Sequence, residues 1–303
     1  MHTLTDPLRH AARHYADNPA TICGDIRMTY RELTARCRRL GGALTALGLA
    51  PGDRVAILAA NSHQYIETYM TVPSAGFAVV PLNTRHAEAE LAYALKDSGA
   101  KLLLTDRAPG ALEALVERVI QIPDGYESLI GEASEIELGE GIDEQSLAGL
   151  FYTGGTTGAS KGVMLSHRNL IANCHNWTAI TQPTSEDIAI VMAPLFHAAG
   201  SNSVIASIWS GGTQLVIPAF NPGDILDRIA REGATQTLGV PVMIAALAEE
   251  QHANPRDVSS VRTVAHGASP IATEVIRRAI AAFPDAEFIH LYGATELAPI
   301  ATG

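Results

Sequence analysis

The chain has 303 residues, of which 47% are hydrophobic and 17% charged, enough apolar material for a packed core of about two units at roughly 150 residues each. Its formal net charge of −11, from 21 basic and 32 acidic residues, argues against sequence-independent nucleic-acid binding. No run of ~18 apolar residues marks a membrane span, and the N-terminus lacks a secretory-type apolar stretch, so a cytoplasmic protein is expected.

In chain order, the first segment reads as a helix to about Asp17. Ala20–Cys23 and Arg27–Thr29 flank a Gly24-Asp25 turn and suggest a small hairpin. Thr29 and Glu32 form a T-x-x-E capping box. Leu33, Leu40, Leu44 and Leu47 follow at helical spacing, and Gly48 closes the helix. Val55–Ala59, Phe77–Val80 and Lys101–Leu104 read as strands, with helices over His63–Met70 and His86–Lys96 between them. Residues 123–147, rich in Gly, Glu and Ser, read as a surface excursion. Further strands are predicted at Leu150–Thr153, Ile188–Met192, Thr213–Ile217, Thr235–Leu238, Val261–Ala265 and Glu287–Leu291. Helices are predicted between most of them, including Ile225–Glu232 and Ala272–Ala282. This alternation implies βαβ units and mainly parallel sheets. The expected fold class is α/β with two packed lobes, approximately residues 1–165 and 166–303.

Cys23, Cys37 and Cys174 are scattered and form no CxxC pair, so neither a zinc site nor a disulfide framework is indicated. Lysine is confined to Lys96, Lys101 and Lys161, which draws attention to the surroundings of each. Lys161 lies in TGGTTGASKG, Thr153–Gly162, directly after an apolar strand. Glycine lets backbone amides face an anion, the hydroxyls add donors, and the lysine adds a mobile charge. The loop is not a Walker A motif, because Ser160 precedes Lys161 and Gly162 follows it.

The run LFYTGGTTGASKGVMLSHRNL resembles the signature loop of the adenylate-forming superfamily, which contains acyl-CoA synthetases, firefly-type luciferases and peptide-synthetase adenylation domains. The usual pattern is T-S-G-T-T-G-x-P-K-G, and this sequence departs from it at Gly154 and Ser160. Three further matches follow in the family's order. APLFHAAG, Ala193–Gly200, resembles the segment lining the acyl and thiol path and makes His197 the candidate. Read alone, a histidine in an apolar run is also an ordinary hydrogen-bonded core residue. HGASP, His266–Pro270, resembles the turn that meets adenine and borders the acyl pocket. LYGATE, Leu291–Glu296, resembles Y-G-x-T-E at the carboxyl end of a strand.

The resemblance implies an AMP-binding N-terminal domain over residues 1–303. It implies ATP binding by Thr153, Gly154, Gly155, Thr156, Thr157, Gly158, Ser160 and Lys161, by Gly267, Ala268 and Ser269, and by Tyr292, Gly293 and Thr295. It implies catalytic parts for Thr295, Glu296, His197 and Lys161, with Glu296 holding Mg²⁺. The implied reaction activates a carboxylic acid, fatty or aryl, as an acyl-adenylate and passes it to coenzyme A. Family members continue beyond Glu296 with a ribose-binding aspartate, a hinge and a mobile domain bearing an adenylation lysine. On that pattern the chain is expected to be incomplete and poorly active alone, and a nucleotide-binding or interaction module without turnover stands as the alternative. The apolar stretch His197–Trp209 suits a hydrophobic acyl group and equally a buried helix.

Overall fold

A computed structural model describes residues 2–154 and 160–303. In chain order the elements are α1 (Thr5–His14), β1 (Pro19–Cys23), β2 (Ile26–Thr29), α2 (Tyr30–Ala46), β3 (Arg54–Leu58), α3 (His63–Ser74), β4 (Ala78–Pro81), α4 (Glu88–Ser98) and β5 (Leu102–Thr105). They continue with a 3₁₀ turn (Gly110–Leu115), β6 (Arg118–Gln121), α5 (Asp124–Glu132), β7 (Leu147–Thr153), β8 (Lys161–Ser166), α6 (His167–Thr181) and β9 (Ile188–Val191). The last third holds α7 (Ala198–Ser210), β10 (Thr213–Val216), α8 (Pro222–Glu232), β11 (Gln236–Gly239), α9 (Pro241–Ala253), β12 (Thr263–Gly267), α10 (Thr273–Ala282), β13 (Glu287–Gly293), a 3₁₀ turn (Thr295–Leu297) and β14 (Ile300–Thr302).

The strands form a six-stranded sheet, β6-β5-β3-β4-β7-β8, and an eight-stranded sheet, β14-β13-β12-β11-β9-β10-β1-β2. All pairings are parallel except β1–β2, β7–β8 and β13–β14. Alternation along the strands explains the layering. In β3, Val55 and Ile57 face a central core, whereas Ala56 and Leu58 face the outer core under α4. In β9 and β10, Val191 and Val216 face the central core, and Ile190 and Leu215 face α8, α9 and α10. Helices α1, α2, α3, α5, α6 and α7 therefore lie between the sheets. Every residue of α3 is buried, including the polar stripe His63, Glu67 and Thr71 at spacings of four.

Two expectations are corrected. The lobes do not divide at one point in the chain. The hairpin β1–β2, expected within 1–165, completes the edge of the eight-stranded sheet, with Thr21 opposite Gln214 and Ile22 opposite Leu215. The Thr21 hydroxyl donates to Gln214 Oε1 at 3.3 Å, and Tyr30, at the start of α2, keeps its phenol among the same groups. The second correction concerns residues 123–147. They include α5, whose Tyr126 is fully buried and donates to Glu67 Oε2 at 2.7 Å. The Tyr126 and Ile130 spacing of four was the signal hidden among the polar residues.

Local chemistry sets the ends as the sequence predicts. The Thr29 hydroxyl accepts from Glu32 N, and Glu32 Oε2 accepts from Thr29 N at 2.8 Å, closing the capping box of α2. Cys23, Cys37 and Cys174 are free thiols. Among the described residues no helix is long and apolar enough to cross a membrane.

Candidate active site

In the eight-stranded sheet β10 lies on one side of β9 and β11 on the other, so the chain reverses its direction of winding there. Ligands of open α/β sheets gather at the carboxyl ends of strands beside such a point. A cleft of about 320 Å³ opens at this place. Its walls come from the segments that leave β9, β11, β12 and β13: Ala193–Gly200, Leu238–Val240, Gly267–Ala268 and Leu291–Thr295. Trp177 of α6 and Arg85, from the loop after β4, complete it.

The structure thus brings together His197, Gly267, Ala268, Tyr292, Gly293 and Thr295, which are far apart in sequence. Glycine is required at two of these positions. A Cβ on Gly267 would strike the Leu291 carbonyl, and one on Gly293 would strike the Pro299 carbonyl. Ala268 holds a φ of +67°, so the turn after β12 carries backbone strain at the cleft wall. Tyr292 is 65% exposed, which leaves its ring face open to a flat partner.

Ser269 is exposed beyond that turn, and Glu296 is exposed on the 3₁₀ turn; neither lines the cleft. Thr153 and Lys161 are the last pair of the β7–β8 hairpin before its connecting segment, with Gly154 and Ser160 next to them. They do not line the cleft either, but β8, which begins at Lys161, packs against the Thr295–Leu297 turn. Gly155, Thr156, Thr157 and Gly158 lie outside the described residues.

His197 is the N-cap residue of α7, and its ring stands 4.5 Å from that of Phe196, centroid to centroid. His197 is exposed at the cleft wall. Partial desolvation, with Arg85 and His86 nearby, lowers its pKa below the ordinary 6.5 and so favours the neutral ring.

Four polar residues that the sequence reading did not single out build this site. Asn61, 7% exposed, donates to the carbonyls of Val191 and Ala193 at 3.3 and 3.0 Å and accepts from Leu195 N at 2.9 Å. It ties the end of β3 to the segment carrying His197 and so joins the two sheets. Asn173 of α6 donates to the Leu297 and Ile300 carbonyls at 3.2 and 2.7 Å and accepts from Ile300 N at 3.2 Å. Asn202 of α7 donates to the Ala298 carbonyl at 3.4 Å. The two asparagines fix the strand return behind Thr295. Arg85 lines both this cleft and a neighbouring one of about 380 Å³, bordered by Asn61, Phe196, Phe220 and Val242. An isolated asparagine or arginine has no periodic signature, which is why none of the four stood out.

Among the described residues no group of three or more His, Cys, Asp or Glu could hold a metal. Mg²⁺ commonly takes one or two carboxylates together with substrate phosphate oxygens and water. A single exposed Glu296, on the turn against β8, fits that donor set.

Residues 8–303 match the family of AMP-binding enzymes. The chain belongs to that family. Feruloyl-CoA synthase from Amycolatopsis sp is 38% identical over 91% of this chain and 56% of its own length. The 4-coumarate–CoA ligase 3 of Arabidopsis thaliana is 33% identical over 94% of this chain and 54% of its own. The chain spans between half and three fifths of these relatives' length. Among solved structures, the N-terminal domain of FACL13 from Mycobacterium tuberculosis superposes with a TM-score of 0.90 at 27% identity, covering 98% of this chain and 77% of that one. As an AMP-binding enzyme, the chain carries its four motifs on one sheet-end geometry and one adjoining hairpin.

Proposed function

We propose that this AMP-binding enzyme activates a carboxylic acid, aryl or fatty, as an acyl-adenylate and delivers it to coenzyme A. The supporting observation is the cleft at the winding reversal, where His197, Gly267–Ala268 and Tyr292–Thr295 converge beside the Lys161 hairpin. The names of the relatives, feruloyl-CoA synthase and 4-coumarate–CoA ligase, favour acid–thiol ligation.

In this reading adenine lies against Tyr292 and the Gly267–Ala268 backbone. The substrate carboxylate oxygen attacks the α-phosphorus, a P–O bond forms, and the bond to the bridging oxygen breaks to release pyrophosphate. The Thr295 hydroxyl donates to an α-phosphate oxygen, and Lys161 supplies charge to the outgoing phosphates. Mg²⁺ held by Glu296 and the phosphates would neutralise negative charge there. Coenzyme A thiol then attacks the acyl carbon and AMP leaves. The neighbouring cleft, which shares Arg85 with the first, offers the thiol a second approach past His197. A neutral His197 presents no charge to an incoming neutral thiol.

The test is incubation of the chain with ATP, Mg²⁺, coenzyme A and a panel of aryl and fatty acids, following pyrophosphate, AMP and thioester. Acid-dependent pyrophosphate release supports the proposal. Nucleotide binding with no acid-dependent release favours a binding module without turnover.

A further inference from the structure

Two imidazoles meet on the parallel strands β12 and β13. His266 and His290 stand opposite each other in the register of that pair. Ala265, Ile289 and Leu291 face the central core, whereas Val264 and Phe288 face the outer one. Alternation therefore puts both histidines on the outer side of the sheet. His266 is 3% exposed, and His290 is open to solvent. Their Nδ1 atoms face each other at 3.3 Å, with the rings crossed at 68°.

That spacing lies at the long end for a hydrogen bond donated by N–H. It also matches the separation of two ligands on a tetrahedral ion. With nitrogens at ~2.05 Å and a tetrahedral angle between them, they lie about 3.3 Å apart. To bond the other ring, one Nδ1 must carry a proton. Moving that proton to Nε2 of the same ring frees both facing lone pairs without changing the charge. Burial, and after it the charge of His290, lowers the His266 pKa below 6.5 and so favours the neutral ring that a metal needs. The strand ladder already holds both residues in place, so binding has little left to order.

We propose that His266 and His290 form a binding site for a divalent transition-metal ion that favours imidazole, Zn²⁺ or Cu²⁺, separate from the Mg²⁺ position at Glu296. Imidazole suits these ions, whereas Mg²⁺ prefers oxygen donors. Two protein ligands leave the remaining positions to water, which enters on the exposed His290 side. His266 directly precedes Gly267, and His290 lies two residues before Tyr292; Gly267 and Tyr292 both line the cleft. An ion bridging the two rings ties together the strands that carry those walls. A second close pair, His10 and His14 on α1, has ring centroids 4.6 Å apart and must be separated from this site by the test.

The experiment is calorimetric titration of the chain with Zn²⁺ in excess Mg²⁺, in a His14→Ala background that removes the α1 pair, repeated after adding His290→Gln. Glutamine keeps a hydrogen-bonding side chain without an imidazole, and the position is exposed, so the fold should survive; a thermal melt checks it. One Zn²⁺ should bind per chain, and His290→Gln should weaken it at least about tenfold, since even the outer partners of metal ligands are worth roughly 10–100-fold. Electron paramagnetic resonance of bound Cu²⁺ should show two imidazole nitrogens, falling to one in His290→Gln. Absence of saturable binding, an affinity unchanged by His290→Gln, or displacement of Zn²⁺ by Mg²⁺ overturns the proposal.

Discussion

Two carboxylates mark opposite regions of this molecule. Glu67, on the all-buried α3, is 0% exposed and committed: Arg36 donates to it at 2.7 and 3.1 Å, and Tyr126 at 2.7 Å. Arg36 also reaches Glu127 at 2.8 Å, which closes the network on α5. Burial raises the Glu67 pKa, and Arg36 and Tyr126 work against that rise. Glu296, on the 3₁₀ turn next to the cleft residue Thr295, is exposed and free of the core. The contrast separates charges that serve the fold from charges held for a ligand, and it forecasts opposite responses to substitution.

The largest effect is expected at the buried network. Arg36→Met leaves the Glu67 carboxylate with one neutral donor in the core, and should cost about 3–5 kcal/mol of unfolding free energy. Urea denaturation measures it; a loss below ~1 kcal/mol would dissolve the distinction between the two regions.

Next is His167, which belongs to the committed class although it follows the phosphate hairpin directly. It is 1% exposed, and its Nδ1 accepts from Leu4 N at 3.1 Å, pinning the N-terminal helix to α6. Burial lowers its pKa from 6.5 to about 4. The unfolded chain therefore takes up this proton first as pH falls. Stability is full above about 6.5, declines as pH drops toward 4, and gains nothing from this group on further acidification. A shift of that size corresponds to about 3 kcal/mol. His167→Asn should be less stable at neutral pH and show a flatter loss between pH 6.5 and 4. Parallel pH profiles for parent and variant would remove His167 from the acid response.

Asn61 joins the two regions, so its variant should move both readouts. Asn61→Ala strands the Ala193 carbonyl and the Leu195 amide, while the Val191 carbonyl keeps Ile217 N, at a cost of about 1–3 kcal/mol. It should also lower acid-dependent pyrophosphate release more than ATP affinity, because it loosens the His197 segment. A fall in stability with unchanged turnover would restrict Asn61 to the fold.

The smallest stability effect is expected at the rim. Glu296→Gln and Lys161→Ala should alter unfolding free energy by no more than ~0.5 kcal/mol. Glu296→Gln should weaken the Mg²⁺ dependence of pyrophosphate release, and Lys161→Ala should weaken ATP binding. An unchanged Mg²⁺ requirement in the first, or unchanged nucleotide titration in the second, would return those residues to plain surface.

Much of this was readable in the sequence because apolar runs, caps and glycine-rich turns are local signals. The strands after Val55 and the capping box at Thr29 fall where those signals put them. The four motifs were legible as words. Three of them meet at one cleft, which follows from the order in which the strands assemble and which periodicity does not encode. Asn61, Asn173 and Asn202 act on backbone groups more than 90 residues away, so nothing near them in sequence announces the role.

The N-terminal hairpin has a consequence for how the protein is made. The Thr21–Gln214 contact spans 193 residues. At ~5–20 residues per second, a ribosome needs on the order of ten seconds or more to travel that distance. Throughout that interval β1 and β2 are outside the exit tunnel without the sheet they complete. Their exposed strand edge is an open template for mispairing in the nascent chain. The protection of that edge, by a holding chaperone or by transient docking on α2, becomes a requirement of biosynthesis and no longer of the finished fold.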